Sequence, residues 1–108
     1  MNDYRILVVD DEEDLCEILK FNLENEGYEV DTANSAEEAL KMDISSYHLI
    51  LLDVMMGEIS GFKMASMLKK EKKTAKIPII FITAKDTEND TVTGFNIGAD
   101  DYISKPFS

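Results

Sequence analysis

Three uninterrupted apolar runs, Ile6-Leu7-Val8-Val9, Leu49-Ile50-Leu51-Leu52 and Ile79-Ile80-Phe81-Ile82, alternate along the chain with segments whose apolar residues recur at helical spacing. A strand that is apolar at every residue is covered on both faces, so these runs predict buried parallel strands. After the first run, Leu15, Ile18, Leu19 and Leu23 form a helical stripe that Gly27 ends from the C′ position. Tyr28 to Ala33 alternates weakly and predicts a second, less buried strand. Ser35-Ala36-Glu37-Glu38 is a capping box opening a helix through Ala39 and Leu40. Beyond the Gly57 to Gly61 loop, Phe62, Ala65 and Leu68 give a third helix one apolar face. Ile77-Pro78 punctuates before the fourth strand. A polar stretch from Asp86 leads into a short, glycine-interrupted helix around Val92 to Ile97, and Tyr102-Ile103-Ser104 predicts a fifth strand before Lys105-Pro106.

Strands of this kind separated by helices make an α/β fold, (βα)4β, with a doubly wound five-stranded parallel sheet. Its ligand site is expected beyond the carboxyl ends of the strands. No repeat, low-complexity tract or interdomain linker interrupts the 108 residues, a length that suits one domain. The longest aliphatic runs are four residues, against the about 20 of a membrane span, so no transmembrane helix is expected. Met1 to Arg5 has neither the cationic segment nor the apolar core of a secretory signal, and a cytoplasmic location is expected. The single Cys16 and single His48 exclude an internal disulfide and a zinc site of Cys and His ligands.

Charge sharpens the picture. Residues 1–58 carry 16 acidic and 3 basic side chains, whereas residues 59–108 carry 6 and 8, for a net charge of −11. Such a domain is repelled by a phosphate backbone, so direct nucleic-acid binding is not expected of it. The one basic cluster, Lys69, Lys70, Lys72, Lys73 and Lys76, is interrupted by Glu71 and follows an amphipathic segment, which reads as the solvated end of a helix in preference to a partner-binding patch.

Four strand ends carry chemistry on the expected rim: Asp10-Asp11 after the first strand, Asp53 closing the third, Thr83 closing the fourth and Lys105 closing the fifth. Singly, each has a structural explanation. Asp11 can cap the first helix, Asp53 can sit in a turn, Thr83 can cap a helix and Lys105 can be solvated before a proline turn. Together they place three carboxylates, a hydroxyl and an ammonium on one rim, a set suited to a hard cation and an oxyanion. Oxygen ligands without His or thiol fit Mg2+, which binds through one or two carboxylates plus phosphate oxygens. Lys105 would offset phosphoryl charge, Thr83 would donate to it, and a carboxylate could itself be the nucleophile.

The segments Val-Val-Asp10-Asp11-Glu-Glu, Leu-Leu-Asp53-Val-Met-Met, Phe-Ile-Thr83-Ala-Lys and Gly-Ala-Asp-Asp-Tyr102-Ile-Ser-Lys105-Pro106-Phe resemble the receiver domain of two-component response regulators, in order and across the whole chain. The resemblance implies strand order 2-1-3-4-5 and a phosphorylation-dependent switch that is not a conventional enzyme, although it catalyses its own Mg2+-dependent phosphotransfer and autodephosphorylation. Asp53 would accept a phosphoryl group from a phosphohistidine on a sensor histidine kinase. Asp11, Asp53 and the Met55 carbonyl would bind Mg2+ directly, with Asp10 acting through water. Thr83 and Lys105 would contact the phosphoryl oxygens. Thr83 and Tyr102 would then move together, changing the face of the fourth helix and fifth strand that controls an output domain or partner protein. The Lys105-Pro106 bond is implied to be cis.

Gly57 stands where the family usually has proline, and Ser60 where an acidic or amide residue is common before Gly61, which bears on loop rigidity and autodephosphorylation. Receivers usually continue into a fifth helix, so residues 1–108 read as a receiver domain truncated after the fifth strand. One flank of the sheet would lack its cover and the first helix a neighbour, which predicts lower stability and an exposed apolar patch there, or its burial by another chain or a swapped segment, as in a homodimer. Three rival readings remain. A pseudo-receiver of the same fold would lack part of the Asp10, Asp11, Asp53, Thr83 and Lys105 set. A haloacid-dehalogenase-type phosphatase would need an Asp two residues after its nucleophile, where this chain has Glu12 or Met55. A flavodoxin-like FMN binder would need a Ser/Thr/Gly-rich loop after the first strand.

Overall fold

A computed structural model describes residues 3–83 and 101–104. The elements run β1 (Arg5–Val9), α1 (Glu13–Asn25), β2 (Glu29–Ala33), α2 (Ala36–Leu40), β3 (Leu49–Asp53), α3 (Gly61–Lys70), β4 (Ile79–Thr83) and β5 (Asp101–Ser104), with a 3-10 turn at Ile44–Ser46. The strands form one parallel sheet in the order β2-β1-β3-β4-β5. The anticipated helix around Val92 to Ile97 lies outside the described residues.

The chain winds outward from β1 to β2, then crosses back over β1 to β3. Right-handed crossovers therefore put α1 on one face of the sheet and α2 and α3 on the other. The strands' two-residue period divides the core accordingly. Leu7, Val9, Ile50, Leu52, Ile79 and Phe81 pack toward α2 and α3 with Ala36, Ala39, Met64, Ala65 and Leu68. Ile6, Val8, Val30, Leu51 and Ile82 pack toward α1 with Cys16, and Leu15, Leu19 and Leu23 lie partly buried against them. Burial on both faces is why the runs carry no polar alternation.

One residue of the anticipated helical stripe faces elsewhere. Ile18 is 54% exposed and Phe21 66% exposed, while Cys16 is the one fully buried residue of α1. At 100° per residue, Leu15, Cys16, Leu19 and Leu23 fit one stripe, and Ile18 lies outside it. Gly27 ends α1 as anticipated, at φ 98°, with its N–H donating to the Glu24 carbonyl and the Tyr28 N–H to the Leu23 carbonyl. That pair of bonds is a Schellman cap. At the start of the basic cluster, Lys69 is not simply solvated: its Nζ donates to the Ala75 and Ile77 carbonyls and closes the turn after α3.

Candidate functional site

Register brings the acids together. Val9 lies opposite Leu52 in the parallel ladder, so Asp10, one residue on, stands beside Asp53 at the end of β3. The boundary between β1 and β3 is where the winding reverses, and helices on opposite faces leave a crevice there. Carboxylate oxygens of Asp10, Asp11 and Asp53 all lie within 4.8 Å of one another. Asp10 is fully buried, Asp53 is 3% exposed and Asp11 is exposed.

Local structure fixes the two buried ones. Asp10 Oδ1 accepts the Glu12 N–H at 2.9 Å, and its own N–H donates to the Ala33 carbonyl at 3.0 Å. Asp53 Oδ1 accepts the Met55 N–H at 3.4 Å, while the Met55 side chain is exposed. Below Asp53, α3 starts at Gly61, whose N–H donates to the Val54 carbonyl at 3.0 Å. A Cβ at Gly61 would stand 2.0 Å from the Asp53 carbonyl oxygen. Ser60 caps this helix, its Oγ accepting the Lys63 N–H at 3.1 Å, which gives the departure noted at this position a structural role.

Thr83 closes β4 opposite Ser104 of β5, on the same edge of the sheet. The side chains of Thr83 and Tyr102, and residues Lys105 and Pro106, lie outside the described residues. Two contributors escaped sequence reasoning: Gly61, flagged only by a glycine directly after a Ser cap, and Asn34, whose bond to Asp10 has no local signature.

Three carboxylates this close repel one another, and a divalent cation with a preference for oxygen relieves that repulsion. The donor set is all carboxylate and partly buried, which fits Mg2+. A second polar group, Tyr47, lies away from this rim in a network at β1 and β2. Its hydroxyl donates to Asp31 Oδ2 at 2.6 Å, Arg5 reaches the same oxygen at 3.2 Å, and the Arg5 guanidinium lies 4.7 Å from the Tyr47 ring centroid. Burial, then the bond to Asp31, push the Tyr47 hydroxyl up to about 12.

Sheet order and the acidic crevice define a doubly wound α/β domain with a cluster of three carboxylates at its switch point. Residues 6–108 match the family model of the response regulator receiver domain. The chain is 48% identical over 105 residues to the alkaline phosphatase synthesis transcriptional regulatory protein PhoP of Bacillus subtilis, covering 96% of this chain and 43% of that protein. It is 44% identical over 106 residues to the nisin biosynthesis regulatory protein NisR of Lactococcus lactis, covering 97% and 45%. Among solved structures, the response regulator TrrA of Thermotoga maritima in complex with Mg2+-BeF is 43% identical, with a TM-score of 0.84 over 97% of this chain and 89% of that one. The chemotaxis response regulator CheY4 of Vibrio cholerae superimposes with a TM-score of 0.90 at 26% identity, over 99% and 90%. The chain belongs to the response regulator receiver domain family, whose known role is phosphorylation-dependent signalling in two-component systems. It spans less than half the length of the curated relatives it matches. Among the described residues, no helix is long and apolar enough to cross a membrane.

Proposed function

We propose that Asp53 is the phosphoacceptor of this receiver and that Asp10 and Asp11 hold Mg2+ beside it. The observation that carries this reading is the approach of the three carboxylates within 4.8 Å at the β1/β3 switch point. Asp11, Asp53 and the Met55 carbonyl would hold the ion directly, and Asp10 would act through water. When bound, Mg2+ neutralises charge gathering on the phosphoryl oxygens. An Asp53 oxygen attacks the phosphorus of a phosphohistidine. The new P–O bond forms as the P–N bond breaks, and the leaving imidazole takes up a proton. Burial of Asp53 restricts water around the resulting acyl phosphate, and loss of the phosphoryl group by the domain's own hydrolysis resets it.

Thr83 and Lys105 contact the phosphoryl oxygens, and Thr83 and Tyr102 pass the change to the fourth helix and fifth strand. The whole of residues 1–108 acts as one receiver domain in the cytoplasm. Its partners are a sensor histidine kinase and an output domain or downstream protein. Receiver relatives of the OmpR/PhoB type support the second partner, since one such regulator, DrrB of Thermotoga maritima, matches with a TM-score of 0.88 over 47% of its chain.

Intact-protein mass spectrometry after incubation with Mg2+ and acetyl phosphate tests the reading. A single phosphoryl adduct that requires Mg2+ and is absent from Asp53→Asn is expected. An adduct that survives in Asp53→Asn, or none in the wild-type protein, overturns it in favour of another acceptor or a pseudo-receiver.

A further inference from the structure

The backbone carbonyl of Asp10 collects two side-chain contacts from different elements. Asn34 Nδ2, in the turn between β2 and α2, donates to it at 3.1 Å. Cys16 Sγ, in the first turns of α1, donates to it at 3.3 Å. The same Asn34 amide reaches Cys16 Sγ at 3.8 Å, so it spans both sides of the turn.

Asn34 is itself held by a helix cap. Ser35 Oγ accepts the Glu38 N–H at 3.0 Å, and Glu38 Oε2 accepts the Asn34 N–H at 3.2 Å. A capping box ordinarily returns the glutamate to the N-cap residue's own N–H. Here it returns one residue earlier and fixes the backbone of Asn34. A continuous set of bonds thus runs from the α2 cap through Asn34 to the turn that presents Asp10 and Asp11.

The type of anchor matters. The turn carries two of three mutually repelling carboxylates, and that repulsion drives it away from β3. A lysine or arginine could tether it, but its charge would compete with a cation for the same carboxylates. A neutral amide bonded to a main-chain carbonyl holds the turn and leaves both carboxylates available. Groups that orient metal ligands from outside the ligand set typically change metal affinity by about 10- to 100-fold when removed.

We propose that Asn34 is a positioning residue for the metal site, setting Mg2+ affinity by clamping the Asp10 carbonyl; this rests on the phosphoacceptor reading above. A bond that merely satisfied a loop carbonyl would contribute to stability and leave metal affinity alone.

Calorimetric Mg2+ titrations of the wild-type protein, Asn34→Ala and the near-isosteric Asn34→Leu test it, with Tyr47→Phe as a variant weakened on the far side of β2. Amide hydrogen exchange is followed in the metal-free proteins. Both Asn34 variants are expected to bind Mg2+ roughly 10-fold more weakly. Their amides at residues 10–12 should exchange faster, and their phosphorylation by acetyl phosphate should regain the wild-type rate at saturating Mg2+. Tyr47→Phe should keep wild-type Mg2+ affinity. Unchanged affinity in an Asn34 variant that folds overturns the proposal, as does an equal loss in Tyr47→Phe. Should both Asn34 variants fail to fold, Ser35→Ala loosens the same set of bonds one step further out, and unchanged Mg2+ affinity there has the same force. Wild-type protein that binds no Mg2+ instead overturns the phosphoacceptor reading, and this inference with it.

Discussion

Gly61 presses its backbone against the strand end that carries Asp53: an added Cβ would sit 2.0 Å from the Asp53 carbonyl oxygen and 2.8 Å from its carbon. Neither neighbour is a flexible side chain, so the contact cannot be relieved by a rotamer change. The first turn of α3 therefore sets the height of the acid in the crevice.

Gly61→Ala should accordingly destabilise the domain by about 3 kcal/mol, at the upper end of overpacking penalties. Urea unfolding of the two proteins checks the magnitude. Gly57→Ala is the control, because nothing lies within 4 Å of a Cβ there, and it should change stability by no more than about 0.5 kcal/mol.

Tyr47 gives a pH signature. Its hydroxyl titrates near 12 in the folded chain, above the ordinary value of 10.0. The folded state then holds its proton more tightly than the unfolded state, so this contribution is fully present below about pH 10 and is lost as pH rises toward 12. Tyr47→Phe should flatten the stability profile in that window. It should also lower stability at pH 7 by about 1–2 kcal/mol, because Asp31 keeps Arg5 but loses a short bond. An equally steep alkaline decline in Tyr47→Phe would show that another group governs it.

Repulsion in the acidic crevice makes an unusual double prediction for Asp11→Asn. Removing the exposed carboxylate of the trio should raise the melting temperature of the metal-free protein while weakening Mg2+ binding. At ten times its dissociation constant, Mg2+ should stabilise the wild-type protein by about 1.4 kcal/mol, and the variant should gain less at the same concentration. Thermal melts with and without Mg2+ read both effects. A variant less stable than wild type without metal would show that repulsion among the three carboxylates does not govern the stability of this turn.

The two readings of α1 differ measurably. Leu19→Ala, in the stripe facing the sheet, should lower stability by about 2 kcal/mol. Ile18→Ala, on the exposed side, should change it by no more than about 0.5 kcal/mol. Comparable losses would restore Ile18 to the core.

These particulars show where sequence reasoning succeeds and where it stops. The buried strands were legible because double-sided coverage leaves a continuous apolar run, and Ser35 and Gly27 because caps are written within four or five residues. Ser60 drew notice only as a departure from the family, and its capping bond to Lys63 is seen in the structure. Asp10 and Asp53 were legible as rim residues because each follows such a run. Ile18 was misplaced because spacings of three and four fit more than one stripe on a helix, and only packing against Val8 and Val30 selects Cys16. The approach of Gly61 to Asp53 and the reach of Asn34 to Asp10 depend on how turns from separate strands meet, which no local pattern records.

β2 forms one margin of the sheet, and its outward course carries Glu29 and Asp31, both drawn to Arg5 of the neighbouring strand. An unpaired strand margin is a template for another strand, and identical margins meeting side by side would oppose acid to acid. The composition that makes this domain so anionic thus also discourages it from extending its sheet into a fibril when many copies crowd together.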